Sequence, residues 1–261
     1  MASCRLWFRG LLVAGIFLWG LLAVSLVFPG LRRLGERRAR HWRERVILNW
    51  NRSVCRILNV RIRVSGHMDP TARLTVANHI SWLDIIALGS LQPMVFVAKA
   101  EVADWPIMGT LARGIGTVFI HRGDAEQAAT TLEAMTWLLR RGAHLMLFPE
   151  GTTTRGDQVL RFHGKLFNPA QLTAARVQSV AVRYRGVSSQ VAPFVGDDDF
   201  LPHLLRILRQ PVIELELHYC PVLPVGLRRD QLARTARLQI CEWLNPTSRY
   251  LATARRTFIQ P

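Results

Sequence analysis

His79 and Asp84 are the residues of this chain whose types and spacing best suit catalysis. They lie in Asn78-His79-Ile80-Ser81-Trp82-Leu83-Asp84, directly after Arg73–Ala77, an apolar run that reads as a strand. A spacing of five is poor for one helix face. A histidine in a strand-to-helix turn can nevertheless meet an aspartate in the first helical turn. That carboxylate would fix the tautomer and orientation of the imidazole and make it a better general base. The same residues also have a structural reading, in which Ser81-x-x-Asp84 is a capping box and His79 an ordinary loop histidine. Spacing alone leaves both open.

Three further blocks place polar groups at the ends of apolar runs. Phe148-Pro149-Glu150-Gly151-Thr152-Thr153-Thr154 follows the strand-like His144–Phe148 and supplies a carboxylate, a flexible glycine and three hydroxyls. In an open α/β sheet, ligands bind beyond the carboxyl ends of the strands; a turn with solvated threonines is the alternative. Gly116–Ile120 ends in His121-Arg122, which would deliver a cation to the same edge, and the planar fork of arginine suits phosphate oxygens. Lys99-Ala100-Glu101, followed by Trp105-Pro106-Ile107-Met108-Gly109, is the weakest of the blocks.

The elements that must hold these blocks read as alternating strands and helices. Met94–Ala98, Ser179–Tyr184 and Val212–Tyr219 complete the strands, and 124–141 reads as a helix with Asp124 as cap, Gln127 at the capping-box position and Gly142 as terminator. The pattern predicts an α/β fold with a mixed, largely parallel sheet flanked by helices over residues 64–261. Pro193–Pro202 is the most loop-like insertion, and its run Asp197-Asp198-Asp199 reads as solvated rather than metal-binding.

Two segments precede that domain. Residues 1–31 read as a membrane-anchor segment: 10–31 carry no charge and suit a helix of about 20 residues, with Arg5 and Arg9 before that stretch and five arginines from Arg32 to Arg40 after it. The heavier positive flank predicts an anchor in the cytoplasmic membrane with the catalytic body on the cytoplasmic face. A cleaved signal peptide is the rival reading, but no small-x-small site follows the apolar run. Over residues 32–63, Leu34, Trp42, Val46, Trp50, Val54 and Leu58 recur at fourfold spacing or its multiples, which predicts a basic amphipathic helix, either packed on its own domain or, as the two tryptophans favour, lying at a membrane surface.

The formal charge is +16, from 34 Lys plus Arg against 18 Asp plus Glu, and only Lys99 and Lys165 are lysines. Residues 1–63 hold +11 of it, beside the apolar segment, which points to an anionic membrane surface as the partner. Neither zinc-finger spacing nor an aromatic-basic RNA-binding signature is present, so no nucleic-acid partner is expected. Cys4, Cys55, Cys220 and Cys241 form no C-x-x-C pair, which gives neither a metal site nor a disulfide framework. A nucleophilic hydrolase would need an elbow such as G-x-S-x-G, and the sequence has none.

Taken in order over residues 78–154, the four blocks closely resemble the 1-acyl-sn-glycerol-3-phosphate acyltransferase family. The N-H-x4-D and F-P-E-G-T blocks carry the resemblance, being specific when they occur together about 70 residues apart, as here. The resemblance implies transfer of an acyl group from acyl-ACP or acyl-CoA to the sn-2 hydroxyl of 1-acyl-glycerol-3-phosphate, with no metal and no cofactor. His79 would be the general base and Asp84 its orienting partner. Glu150, Gly151 and Thr152 would shape the acceptor and reaction site, Arg122 would hold the acceptor phosphate, Phe119 and Gly116 would line that site, and Lys99 would add positive charge. Two positions depart from the family pattern. The third block usually runs F-P-E-G-T-R-S, whereas Thr153 stands at the arginine position and Arg155 follows two places later. A later apolar strand usually carries a proline, whereas Val177–Val182 has Ala181. The alternative acceptor is lyso-ornithine lipid or another lysophospholipid. The alternative of a different class is an inactive, membrane-bound lipid-binding or scaffold protein.

Overall fold

The computed structural model describes residues 2–121, 125–196 and 198–245. Arg122, the capping position Asp124 and Asp197 lie outside the described residues. The chain opens with α1 (Ala2–Leu22), continues through a π-helical turn at Ala23–Val27 into α2 (Phe28–Leu31), and reverses at Gly35 into α3 (Glu36–Leu58). Then follow β1 (Val60–Gly66), β2 (Leu74–Ala77), α4 (Trp82–Leu91), β3 (Val95–Lys99), α5 (Met108–Ile115) and β4 (Val118–Ile120). The second half holds α6 (Ala125–Arg140), β5 (Leu145–Leu147), α7 (Asn168–Thr173), β6 (Val177–Tyr184), α8 (Ser188–Val191), α9 (Phe200–Arg209), β7 (Ile213–Tyr219) and α10 (Arg229–Leu244).

The strands form one seven-stranded sheet in the order β1-β7-β6-β2-β5-β3-β4, parallel throughout except where β6 meets β7. The fold class is therefore the one the sequence predicts. Central β2 and β5 are short apolar runs buried on both faces, as a parallel sheet covered by helices requires. Thr75, Ala77 and Met146 face the layer that holds α3, α4 and α9, while Leu74, Val76, Leu145 and Leu147 face α6, α7 and α10. Gly142, at φ 76, closes α6 by accepting the left-handed conformation that ends the helix.

One boundary differs from the sequence reading. The amphipathic helix stops at Leu58, capped by Asn59 at φ 53 and ψ 48, and residues 60–63 belong to an edge strand paired with β7. Val60-Arg61-Ile62-Arg63-Val64 alternates apolar and basic residues with period two, a strand pattern that the surrounding arginines conceal in a helical count.

The apolar segment packs along the body. Val13 is buried, Phe17 meets Trp50 edge-on at 5.4 Å, and the Trp50 indole donates to the Ile16 carbonyl at 2.8 Å. Arg9 donates to the carbonyls of Gln210 (2.6 Å) and Pro211 (3.2 Å), and Arg5 to that of Arg209 (2.9 Å), so α1 caps the carboxyl end of α9. Its other face stays open: Trp7, Phe8, Leu11, Leu18 and Leu26 are all well exposed.

Candidate functional site

The chain leaves β2 for β3 on one side of the sheet, whereas the connection from β5 returns past β2 to β6. Adjacent strands whose connections depart in opposite directions open a crevice beyond their carboxyl ends. His79 sits two residues after β2, and Glu150 three residues after β5, so both face that crevice.

Asp84 organises it. Ser81 caps α4 and accepts from the Leu83 N–H, while Asp84 Oδ2 accepts the N–H groups of Ser81 (2.9 Å) and Ile80 (2.7 Å). The same oxygen accepts from His79 Nδ1 at 2.9 Å, and Oδ1 accepts the Tyr184 hydroxyl at 2.7 Å. The capping box and the histidine–aspartate pair are therefore one construction. Asp84 is fully buried, and its donors satisfy an ionised carboxylate there. With the Nδ1 proton committed to Asp84, the neutral ring carries its lone pair on Nε2. The ring stacks on Phe148, with centroids 3.8 Å apart and planes at 12°, and its side chain is 16% exposed.

Glu150 ties the two catalytic-type turns together. Its Oε1 accepts the His79 N–H at 2.8 Å and its Oε2 the Leu160 N–H at 2.7 Å. Burial pushes its carboxyl above the usual range, opposed by those two hydrogen bonds. Gly151 adopts φ 72, and its N–H donates to the Phe148 carbonyl at 3.0 Å, turning the chain sharply. Thr152 is exposed at this turn, whereas Thr154 is buried and its N–H donates to the His79 carbonyl at 2.8 Å.

Lys99 ends β3, two strands from β2, and is half exposed with Glu101 at 3.6 Å. Phe119 lies in β4, three strands from β2, which by sheet spacing is about 14 Å away. Gly116 is the left-handed residue that closes α5 just before β4, at φ 88. Lys99 thus reaches the carboxyl edge that holds His79, Phe119 sits in the middle of β4, and Gly116 lies at the opposite, amino-terminal end of that strand. Arg122 lies outside the described residues.

Several contributors play parts that the sequence motifs do not assign them. Asn78 is buried and uses its side-chain amide as a ladder residue, donating to the Val182 carbonyl (3.0 Å) and accepting the Val182 N–H (2.8 Å). This extends β2 toward β6 after its backbone has turned away. Tyr184 is the last residue of a predicted strand, and nothing in its neighbours marks it as a partner of Asp84. Thr153 donates to the Phe194 carbonyl, and the Phe194 N–H donates to the Ile80 carbonyl at 2.9 Å, so the Pro193–Val195 stretch bridges both turns. His203 underpins that stretch: its Nε2 lies 3.1 Å from the Ala192 and Pro193 carbonyls, and its Nδ1 accepts the Trp82 indole N–H at 3.0 Å. Asp198, read as solvated, instead accepts the Val195 N–H and pairs with Arg206 at 3.3 Å.

The Acyltransferase family profile matches residues 61–183, the stretch that carries every strand of the crevice. A lyso-ornithine lipid O-acyltransferase of Pseudomonas aeruginosa is 40% identical over 241 residues, covering 91% of this chain and 92% of that one. A 1-acyl-sn-glycerol-3-phosphate acyltransferase of Neisseria meningitidis is 29% identical over 201 residues, covering 76% and 79%. Among solved structures, the 1-acyl-sn-glycerophosphate acyltransferase PlsC of Thermotoga maritima shares the fold, with a TM-score of 0.67 at 18% identity over 95% of this chain and 98% of that one. With the Pseudomonas aeruginosa relative matched along nearly its whole length and the family profile spanning the crevice, this chain belongs to the acyltransferase family.

Proposed function

We propose that this protein transfers an acyl group from an acyl thioester to the free hydroxyl of a membrane lysolipid, and that lyso-ornithine lipid is its acceptor. The observation that carries the reaction class is the 2.9 Å contact between His79 Nδ1 and the buried Asp84 carboxylate, which leaves Nε2 as the free base. Nε2 would take the acceptor hydroxyl proton as that oxygen attacks the thioester carbonyl carbon. The C–S bond then breaks, and the thiolate leaves with the proton returned from the imidazolium. Asp84 stays ionised and stabilises the imidazolium between the two steps. Glu150 holds the His79 backbone in register with the acceptor turn at Gly151 and Thr152.

Lyso-ornithine lipid is favoured by the Pseudomonas aeruginosa relative, matched along 92% of its length. Thr153 points the same way, because an uncharged hydroxyl engaged by the Phe194 carbonyl offers no fork for a phosphate. The second reading, 1-acyl-glycerol-3-phosphate as acceptor, draws on the Neisseria meningitidis relative and would call on Lys99 and Arg122 for the phosphate.

The exposed apolar face of α1, and arginines on α1 and α3, suit a protein seated on an anionic bilayer surface. Arg9 is bonded to the body at one end of the apolar segment, and Arg43 stacks over Phe28 at 5.2 Å near the other. That packing favours a helix sunk into one leaflet alongside its domain, on the cytoplasmic face of the inner membrane.

The test is turnover by the reconstituted protein with acyl-ACP and acyl-CoA, each offered lyso-ornithine lipid or 1-acyl-glycerol-3-phosphate. A higher kcat/KM for lyso-ornithine lipid is expected. The reverse preference overturns the acceptor assignment, and no turnover with any pair would leave a lipid-binding scaffold.

A further inference from the structure

We infer that the Trp105–Ile107 turn is a second lipid-contacting element, which sets the depth and tilt of the active-site edge at the bilayer surface. The inference rests on the reading that the acceptor is a membrane lysolipid. Ile107 has φ 63 and ψ −59, and the Met108 N–H closes a three-residue turn onto the Pro106 carbonyl at 2.6 Å. A β-branched residue is strained in that conformation, and glycine or asparagine would sit there with less strain. Much of the strained side chain is nonetheless left in the open: Ile107 is 48% exposed, and Trp105 beside it is 37% exposed. The fold thus holds an isoleucine outward against both its backbone preference and its hydrophobicity.

The position of the turn names the occupant. Ile107 starts α5, and α5 is seated directly on the apolar N-terminal segment. Leu111 packs on Gly20, and Gly114 approaches Val24 so closely that an added Cβ would lie 2.4 Å from it. Because Leu111 meets Gly20 and Gly114 meets Val24, α5 runs in the same direction as that segment, and the turn, one helical turn before Leu111, falls level with Ile16, between the exposed Leu12 and the exposed Leu18 and Trp19. Tryptophan and aliphatic tips beside an arginine-flanked apolar helix match the headgroup–acyl boundary, where indoles concentrate. A bilayer surface therefore continues from α1 onto the turn.

The turn also reaches the catalytic edge. Trp105 lies 6.3 Å from the Phe194 ring and 6.4 Å from that of Phe200. Phe194 is the residue whose backbone holds both the Ile80 and the Thr153 turns. Seating Trp105 and Ile107 in lipid would steady the mouth through which an acceptor rises from the leaflet to His79.

The experiment places an environment-sensitive fluorophore at Ile107→Cys or at Val225→Cys, in the full chain with Cys4 and Cys241 changed to serine. Val225 is exposed at the opposite, amino-terminal end of the sheet, beside Arg176 at the start of β6. The protein is reconstituted in phosphatidylcholine–phosphatidylglycerol vesicles. A blue shift and quenching by brominated acyl chains are expected at position 107, with neither at position 225. A water-exposed probe at 107 overturns the inference and leaves the turn for a protein partner. The companion variant is Ile107→Gly, which relieves the backbone strain and so should not lower Tm. It should nonetheless reduce kcat/KM about tenfold on vesicle-borne lysolipid while leaving a short-chain, water-soluble acceptor unaffected. Equal loss on both acceptors, or none on either, counts against a lipid role. The fluorescence readout needs no turnover, so it fails or succeeds apart from the assigned reaction.

Discussion

A histidine whose Nδ1 proton is held by a buried carboxylate has only Nε2 to offer a substrate, and His79 is built this way from both sides. His79→Ala should therefore lower kcat by about 10²–10⁴, read in the vesicle assay against unchanged membrane binding. The fold should tolerate the change, because Ile80, Ser81 and Tyr184 still donate to Asp84. Asp84→Asn should destabilise more than His79→Ala, since a neutral amide replaces a buried carboxylate that accepts from His79, Ile80, Ser81 and Tyr184; urea midpoints of the two variants decide the order. Tyr184 is the positioning residue behind the pair, its phenol held protonated by burial and by the Asp84 charge. Tyr184→Phe strips one hydrogen bond from a buried carboxylate, a loss of about 1–3 kcal/mol. It should also lower kcat with KM nearly unchanged, because Asp84 then holds the imidazole less firmly; an unaltered kcat would reduce Tyr184 to packing. The pair itself was legible from N-H-x4-D, but the choice between a cap and a partner for His79 was a false one, because a single carboxylate oxygen both caps α4 and accepts from the imidazole. Tyr184 was not legible, because its contact spans 100 residues of chain and depends on β6 lying beside β2.

At the scale of elements, the apolar segment has two faces with different tasks. One carries Val13, Ile16 and Phe17 into the packing with α3 and α9, and the other is left exposed. Sequence shows the length and the flanking charge of such a helix, but not which of its residues a domain will claim. The same limit explains β1, whose basic alternation merged into an arginine-rich helix, and α6, whose period, length and terminal glycine made it plain from the start. The packing predicts that deleting residues 1–30 will not simply release a soluble domain. It would uncover Trp50 and the α9 face and strip the arginine caps from carbonyls 209–211. Arg5→Ala/Arg9→Ala is the milder form of the test. It should loosen the end of α9 by about 1–2 kcal/mol, the scale of lost capping and charge-assisted bonds, seen as faster amide exchange at residues 207–211. Exchange equal to that of the parent would mean these arginines serve the headgroups alone.

Across the whole molecule, charge and buried histidine divide the work differently. Most of the +16 lies in the first 63 residues, whose arginines cap helices, stack on aromatics and face outward beside an apolar surface, so net charge speaks to where the protein sits more than to what it catalyses. The interior holds uncharged imidazoles instead. His144, just ahead of β5 at the sheet end remote from His79, has its Nε2 2.7 Å from the Thr75 hydroxyl; burial, aided by Arg73, lowers its pKa from 6.5 to about 4. His203, beneath the Phe194 stretch, is shifted in the same direction by burial and by Arg206. Below pH 6.5 the unfolded chain takes up a proton at such a site before the folded chain does. Stability supplied by the neutral ring is thus complete above 6.5 and is lost as pH falls through about 4. For His144 the shift corresponds to about 3 kcal/mol. His144→Asn should accordingly lower stability at neutral pH through lost packing, yet flatten the acid limb of the stability curve relative to the parent. Urea midpoints of both proteins, taken above pH 6.5 and near pH 4, separate the two effects. Parallel curves would show that His144 titrates alike in the folded and unfolded chains.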